Sequence, residues 1–170
     1  MTTTTLNHAD HLVPTAGWRR ALTSLIATQP DGAAALARVA LALVMLPHAA
    51  QHTGGWLGGF GYTKMMGYFA SLGIPSPFGF AAIAAEVLAP LALLVGLGGR
   101  LAALSIAAVM AVAVATVHAP NGFFMNWLGN QPGEGYEYHL LAIALAGVVF
   151  LRGSGRWSLD RHFTERAATP

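Results

Sequence analysis

The sequence predicts an all-α, multi-pass membrane protein, a four-transmembrane-helix bundle with both termini in the cytoplasm. Of its 170 residues, 55% are hydrophobic and only 9% are charged, which is too little charge to cover a soluble domain of this size. The apolar residues are collected in four segments, each near the length of about 20 residues that crosses the hydrocarbon core. These segments are residues 33–51, 78–97, 101–117 and 136–151.

The distribution of basic residues predicts the orientation. Of the nine Lys and Arg residues, all but Lys64 lie before or at the start of the first segment, between the second and third, or after the fourth. The last loop contains acidic residues and no basic ones. Because loops rich in Lys and Arg stay in the cytoplasm, this pattern predicts cytoplasmic N- and C-termini, and an even number of spans agrees with it.

The chain is expected to contain one membrane domain, residues 31–160, between two tails. Residues 1–30 are polar and threonine-rich, which predicts a flexible cytoplasmic tail, and residues 161–170 form a short second tail. Asp31 is expected to cap the first membrane helix, and a short interfacial helix is expected over residues 64–72. Alanines at 103, 107, 111 and 115 form a stripe for close helix packing, which permits a homodimer as readily as packing within the chain.

Composition also excludes several classes of function. The chain has no cysteine, so it forms no disulfide and cannot bind an iron–sulfur cluster through thiolates. The net charge is only +2, and the arginines are scattered rather than gathered in a basic patch with aromatic residues. Nucleic acid is therefore not an expected partner, and the lipid bilayer is.

Titratable side chains from all four predicted helices fall in one layer of the membrane. Counted from Arg100 at about 1.5 Å per residue, Glu86 lies roughly 21 Å deep and His118 roughly 27 Å. The other members of the layer, roughly 15 to 22 Å deep by the same count, are His48, His52, Glu137 and His139. Because an ionised carboxylate in lipid is costly, Glu86 is expected to be protonated, to be paired, or to face a hydrated cavity.

Three kinds of chemistry could use this layer. His48 and His52 are four residues apart, so their rings share one helix face and point together into the bundle. A metal would use this pair with Glu86 or Glu137, a haem would use single histidines on opposing helices, and a quinone would use hydrogen-bond donors with a carboxylate. The histidine pair without the glutamate of a zinc protease is a weak metal signal, so no metal ligand is assigned.

Several segments of the chain resemble a known family. They are RVALALVMLPHAAQH with the GYTK that follows it, AAEVLAPLALLVGLGGRLAAL, HAPNGFF, and GYEYHLLAIALAGVVFLRGSGRWSLD. Together they resemble the DoxX family of small bacterial membrane proteins over roughly residues 36–160. The strongest elements are Arg38, Lys64, Glu86, the Gly-Gly-Arg turn at 98–100, Glu137 and the closing Gly-x-Gly-x-x-Ser-Leu-Asp.

This resemblance implies a four-helix protein of the bacterial inner membrane. Some DoxX proteins are subunits of thiosulfate:quinone oxidoreductase, and others are associated with membrane oxidoreductase complexes that handle oxidative stress. The resemblance also implies that Arg38, Lys64, Glu86 and Glu137 are pocket residues.

The leading hypothesis is a membrane subunit of an oxidoreductase system, with a pocket for a quinone or another small molecule in the outer half of the bundle. Glu86 and His52 are the predicted catalytic pair, which exchanges protons. The predicted substrate-binding residues are Lys64, Arg38, Glu137, His48, His118 and His139. Because none of these side chains carries electrons, a cofactor or a redox partner protein is required, and a quinone is favoured over haem or metal.

Two alternative functions are consistent with the same residues. The protein could be a non-catalytic membrane anchor or assembly subunit, whose polar layer only joins the helices. It could also be a haem- or metal-binding membrane protein. An enzymatic activity is thus one hypothesis among three.

Overall fold

A computed structural model describes residue 17 and residues 24–168, which form helices joined by turns and loops. No β-strand occurs among these residues, which confirms the all-α class for the described part of the chain. The main helices, in chain order, are α1 (Gly32–Gly54), α2 (Gly61–Ser71), α3 (Ser76–Val95), α4 (Gly99–Ala113), α5 (Glu137–Arg152) and α6 (Leu159–Ala168).

Three helical segments are long and apolar enough to cross a membrane. They are Gly32–Gly54, Ser76–Val95 and Gly99–Asn121, the last consisting of α4 and the two short helical turns that follow it. The fourth predicted span corresponds to α5, which has 16 residues and is therefore about 24 Å long, against a hydrocarbon core of about 30 Å. Three of the four predicted spans are confirmed by length and composition. The fourth span and the orientation of the termini stay predictions.

The four long helices pack in a closed arrangement. α1 and α4 each contact both α3 and α5, and α2 lies against α1 and α3. Many of the buried residues between them are alanines, which let helix backbones approach closely in lipid. Larger side chains fill the remaining space, among them Leu41, Met45, Leu93, Ile106 and Val149.

The alanine stripe of α4 is only partly used within the chain. Ala103 is fully buried and Ala107 is partly buried against the core, whereas Ala111 and Ala115 are exposed. A homodimer through the exposed half of the stripe stays a prediction.

A buried arginine joins the first helix to the chain's C-terminal segment. Arg38 of α1 donates from Nε to the carbonyl of Ser154 at 2.9 Å and from a terminal nitrogen to that of Trp157 at 3.2 Å. Its other terminal nitrogen donates to the carbonyls of Leu93 and Leu94, at the end of α3. We call this end of the molecule the arginine end.

A buried carboxylate completes the same contact. Asp160, which is 1% exposed, accepts hydrogen bonds from the backbone N–H groups of Gly98 and Gly99 at 2.8 and 3.0 Å, and from the Ser154 hydroxyl at 2.6 Å. The segment 153–160 is thereby fixed across the ends of α1, α3 and α4. We refer to this segment, with Arg38, as the C-terminal clasp.

The two predicted tails lie partly in the described region. Residues 1–16, 18–23, 169 and 170 are outside the described residues, so the flexibility predicted for most of the first tail stays a prediction. Within that tail, the carbonyl of Ala27 accepts a hydrogen bond from Arg100, and the Thr28 hydroxyl accepts one from the N–H of Gly155. The predicted second tail lies in α6 as far as Ala168.

Asp31 caps α1 as the sequence predicts, because its Oδ1 accepts from the N–H of Ala33 at 2.8 Å and of Ala34 at 3.4 Å. We expect Asp31→Ala to lower the free energy of unfolding by about 1 kcal/mol, since the first turn loses its acceptor. Asp31→Asn keeps a capping oxygen and should lose less. An SDS titration in mixed micelles, followed by circular dichroism, measures the difference, and equal stability of all three proteins would contradict the capping role.

Candidate functional site

A cavity of about 250 Å³ lies among α1, α3, α4 and α5, away from the arginine end. His48, one of its lining residues, is ten positions beyond Arg38 on α1, about 15 Å along the helix. The lining combines titratable groups with thioethers and consists of Met45, His48, His52, Glu86, Met110, His118, Met125, Glu134, Tyr138 and His139. We call it the histidine cavity.

A close acid–base pair joins two helices at this cavity. The Oε2 of Glu86 on α3 lies 2.6 Å from the Nδ1 of His52 on α1. The Glu86 side chain is 7% exposed and that of His52 is 22% exposed. Glu86 is therefore paired, which is one of the three environments expected for a carboxyl group in the membrane, and it also lines the cavity. Two titratable groups in direct contact can pass a proton between them or to a bound molecule.

Tyr138 also lines the cavity and was not among the predicted site residues. Its ring centroid is 5.9 Å from that of His48 and 5.8 Å from that of His139. Its hydroxyl contacts the sulfur of Met45 at 3.6 Å. The signal in the sequence is its place beside His139 in a segment already predicted to be membranous, where a phenol supplies a hydrogen-bond donor.

His118 and His139 form a second histidine pair, with ring centroids 4.0 Å apart. His118 ends a π-helical turn, Val114–His118, that follows α4, and such turns are frequent at functional sites. Its Nδ1 is bonded to the carbonyl of Glu134 at 2.8 Å. His139 is buried, and its Nδ1 has no hydrogen-bond partner within the described residues.

The structure brings five of the eight predicted site residues to the cavity, namely His48, His52, Glu86, His118 and His139. It does not bring the other three there. Arg38 lies in the C-terminal clasp, and Lys64 is exposed on α2. Glu137 accepts a hydrogen bond from the N–H of Met125 at 3.3 Å, so its carboxylate supports the loop that contributes Met125 to the cavity.

An apolar groove of about 340 Å³ adjoins the histidine cavity and is bounded by α2, α3, α4 and the π-helical turn. Aromatic and aliphatic side chains form most of its wall, including Phe69, Phe78, Val109 and Val112. Glu86 lines both the groove and the histidine cavity. Sequence reasoning missed the groove because it depends on how α2 packs beside α3.

The arrangement considered for a metal from the sequence was two helical histidines with a glutamate. Over the described part of the chain, no three His, Asp or Glu side chains are placed so that they could hold a metal ion.

One known family matches the region of the chain that contains the first three spans. A family model described as DoxX matches residues 33–119. The chain belongs to the DoxX family. The resemblance inferred from the motifs is thereby confirmed, although the match is shorter than the 36–160 estimated from them. No curated protein and no solved structure matches the chain.

The DoxX match includes six of the ten residues that line the cavity and leaves out the other four. His52, Glu86 and His118 lie within it, whereas Tyr138 and His139 on α5 lie beyond it. Family membership and the apolar helices together make this DoxX chain a multi-pass membrane protein.

Proposed function

We propose that this protein is the membrane subunit of a quinone-linked oxidoreductase system, and that it binds a quinone where the histidine cavity meets the apolar groove. The observation that carries the proposal is the position of Glu86, which is buried, paired with His52 and shared by both hollows. A membrane quinone joins a polar headgroup that gains and loses protons to a long apolar tail. It therefore needs a polar and an apolar surface side by side.

The groups around the cavity suit a quinone headgroup. Its two carbonyl oxygens accept hydrogen bonds, and the Tyr138 hydroxyl and the imidazole of His48 are donors within the cavity. The cavity is small, and the groove adjoining it brings the combined space into the range of about 300–1,000 Å³ that is usual for small-molecule sites. The tail would then follow the apolar wall of the groove toward the lipid.

The acid–base pair supplies the proton chemistry of this proposal. When a quinol is oxidised, each hydroxyl releases a proton, and the Glu86–His52 pair would accept it as a general base. The electrons leave through a redox partner protein or its cofactor. From the distribution of Lys and Arg we infer cytoplasmic termini, with α5 as a short fourth span and the cavity in the outer half of the membrane. Membership of the DoxX family supports a location in the bacterial inner membrane.

The test is a titration of the detergent-solubilised protein with a short-tailed quinone in its oxidised form and in its reduced quinol form. We expect Glu86→Gln to weaken quinol binding by at least about tenfold, because a quinol hydroxyl would donate to the Glu86 carboxylate, and a hydrogen bond to a charged group contributes about 1.5–3 kcal/mol. Glu165→Gln is the matched control, since Glu165 is an exposed glutamate on α6. The same quinol Kd for wild type and Glu86→Gln, with both proteins folded, would contradict the proposal.

A second candidate is a non-catalytic anchor or assembly subunit, and the Glu86–His52 contact also favours it because that contact joins α1 to α3. In this case wild type would not bind the quinone at all. Glu86→Gln would lower only the stability to SDS, so the two candidates differ in the wild-type titration.

A further inference from the structure

We propose that the histidine cavity also binds the soft monovalent ion Cu(I), at the end formed by His118, His139, Met110 and Met125. This end is distinct from the Glu86–His52 pair, because the rings of His118 and His139 pack against each other and the loop that contributes Met125 also supports His118. The site goes beyond the proposed quinone function. It also differs from the metal arrangement considered from the sequence, since thioether sulfur takes the place of a carboxylate.

His139 is the first residue that points to a bound ion. The residue is 7% exposed, it lines the cavity, and its Nδ1 has no hydrogen-bond partner among the described residues. A buried polar atom without a partner is costly, so each case calls for a physical explanation. A metal ion in the cavity would bind this nitrogen and supply the missing interaction.

The orientation of His118 also suits a metal ligand. A carbonyl oxygen only accepts hydrogen bonds, so the contact from His118 Nδ1 to the Glu134 carbonyl places the proton on Nδ1. In the neutral ring this leaves the lone pair of Nε2 free. Metal-binding histidines are typically held in this way, with one ring nitrogen donating to a backbone carbonyl and the other bound to the metal. The His139 ring is 4.0 Å away.

Methionine is concentrated at this cavity. Met45, Met110 and Met125 line this one cavity, and thioether sulfur favours Cu(I) over Mg²⁺ or Ca²⁺. The sulfur of Met45 already contacts the Tyr138 hydroxyl, which leaves the other two for an ion.

The loop that contributes Met125 is tied to the same support as His118. The Glu134 carboxylate accepts a hydrogen bond from the N–H of Asn126 at 2.7 Å, and the Glu134 carbonyl orients His118. Glu137 holds the N–H of Met125. One short loop therefore positions an imidazole and a thioether at the same end of the cavity, as a ligand site requires.

Cu(I) binding is measured on the full chain in detergent, without oxygen, by competition with a chromogenic Cu(I) chelator. We expect wild type to retain a stoichiometric amount of Cu(I) and Zn²⁺ not to displace it. Met110→Leu with Met125→Leu conserves volume. This double variant is expected to bind at least about tenfold more weakly, because even the loss of a residue that only hydrogen-bonds to a metal ligand typically costs about tenfold or more. His139→Phe is expected to lose at least as much. Met66→Leu and His162→Phe, which change residues outside the cavity, are the controls.

Wild type that yields all its Cu(I) to the chelator, or a double methionine variant that binds as tightly as wild type, would overturn the proposal. If His139→Phe does not fold, the methionine variants decide the question. Glu86→Gln is measured in parallel and should keep its Cu(I) affinity, because Glu86 is paired with His52 and is not one of the four proposed ligands. If wild type binds Cu(I) but not the quinone, only the proposed function is rejected. If it binds the quinone but not Cu(I), only the metal site is rejected.

Discussion

Replacing Arg38 with methionine is expected to lower the free energy of unfolding by about 3–5 kcal/mol. The side chain is 2% exposed and donates to backbone carbonyls at the end of α3 and in the segment 153–160. Methionine fills much of the space but donates nothing, so several buried carbonyls lose their partner at a cost of about 1–3 kcal/mol each. The loss is measured by SDS titration in mixed micelles.

Two variants separate geometry from charge in this prediction. Arg38→Lys keeps the positive charge but has a single ammonium group, which cannot serve carbonyls on two segments at once; its loss should be intermediate. Arg166→Met removes an exposed arginine and should change stability by less than about 0.5 kcal/mol. Folded Arg38→Met is expected to bind quinone like wild type. Normal stability with lost quinone binding would instead make Arg38 a ligand-binding residue, as the sequence analysis proposed.

Gly155→Ala is expected to cost about 2–5 kcal/mol, the second large effect at the arginine end. Gly155 has φ +71°, and an added Cβ would lie 2.5 Å from the carbonyl oxygen of Asp31 and 2.6 Å from the nitrogen of Ala35. The left-handed conformation alone costs a residue with a Cβ about 1–2 kcal/mol. Because both close atoms belong to the backbone of α1 and its cap, overpacking adds about 1–3 kcal/mol.

Gly98→Ala is the matched control for that prediction. Gly98 also has a positive φ, of +60°, but no atom lies within 4 Å of an added Cβ. It should therefore show only the conformational cost, and the difference between the two variants measures the close packing of the clasp on α1. Equal losses in the same SDS titration would show that this packing contributes nothing.

Much of the fold could be predicted from local features of the sequence. The first three spans follow from their length and apolarity, and Asp31 caps the first helix because its side chain is short, polar and placed just before the apolar run. The helix predicted for residues 64–72 is present as α2. α5 is the exception, since it agrees with the apolar segment predicted at residues 136–151 but its 16 residues are too few to confirm a span by length.

The candidate site could be predicted only in part. Counting residues along a helix estimates depth. The sequence could therefore indicate that Glu86 lies at the level of a histidine and could pair with it. The same count placed Glu137 in the layer, although its carboxylate holds a loop rather than lining the cavity. Tyr138 and the cavity methionines were missed, because depth does not indicate which side of a helix faces which neighbour.

The sequence by itself determined the class of protein, the first three spans, the family and the level at which the titratable groups lie along each helix. Only the tertiary structure decided that Glu86 meets His52, that His118 meets His139, and that Arg38 belongs to a clasp. The rise per residue and the apolarity of a segment are local properties. A contact such as that between Arg38 and Ser154, 116 positions apart, depends on which helices pack together and on how the C-terminal segment returns to them.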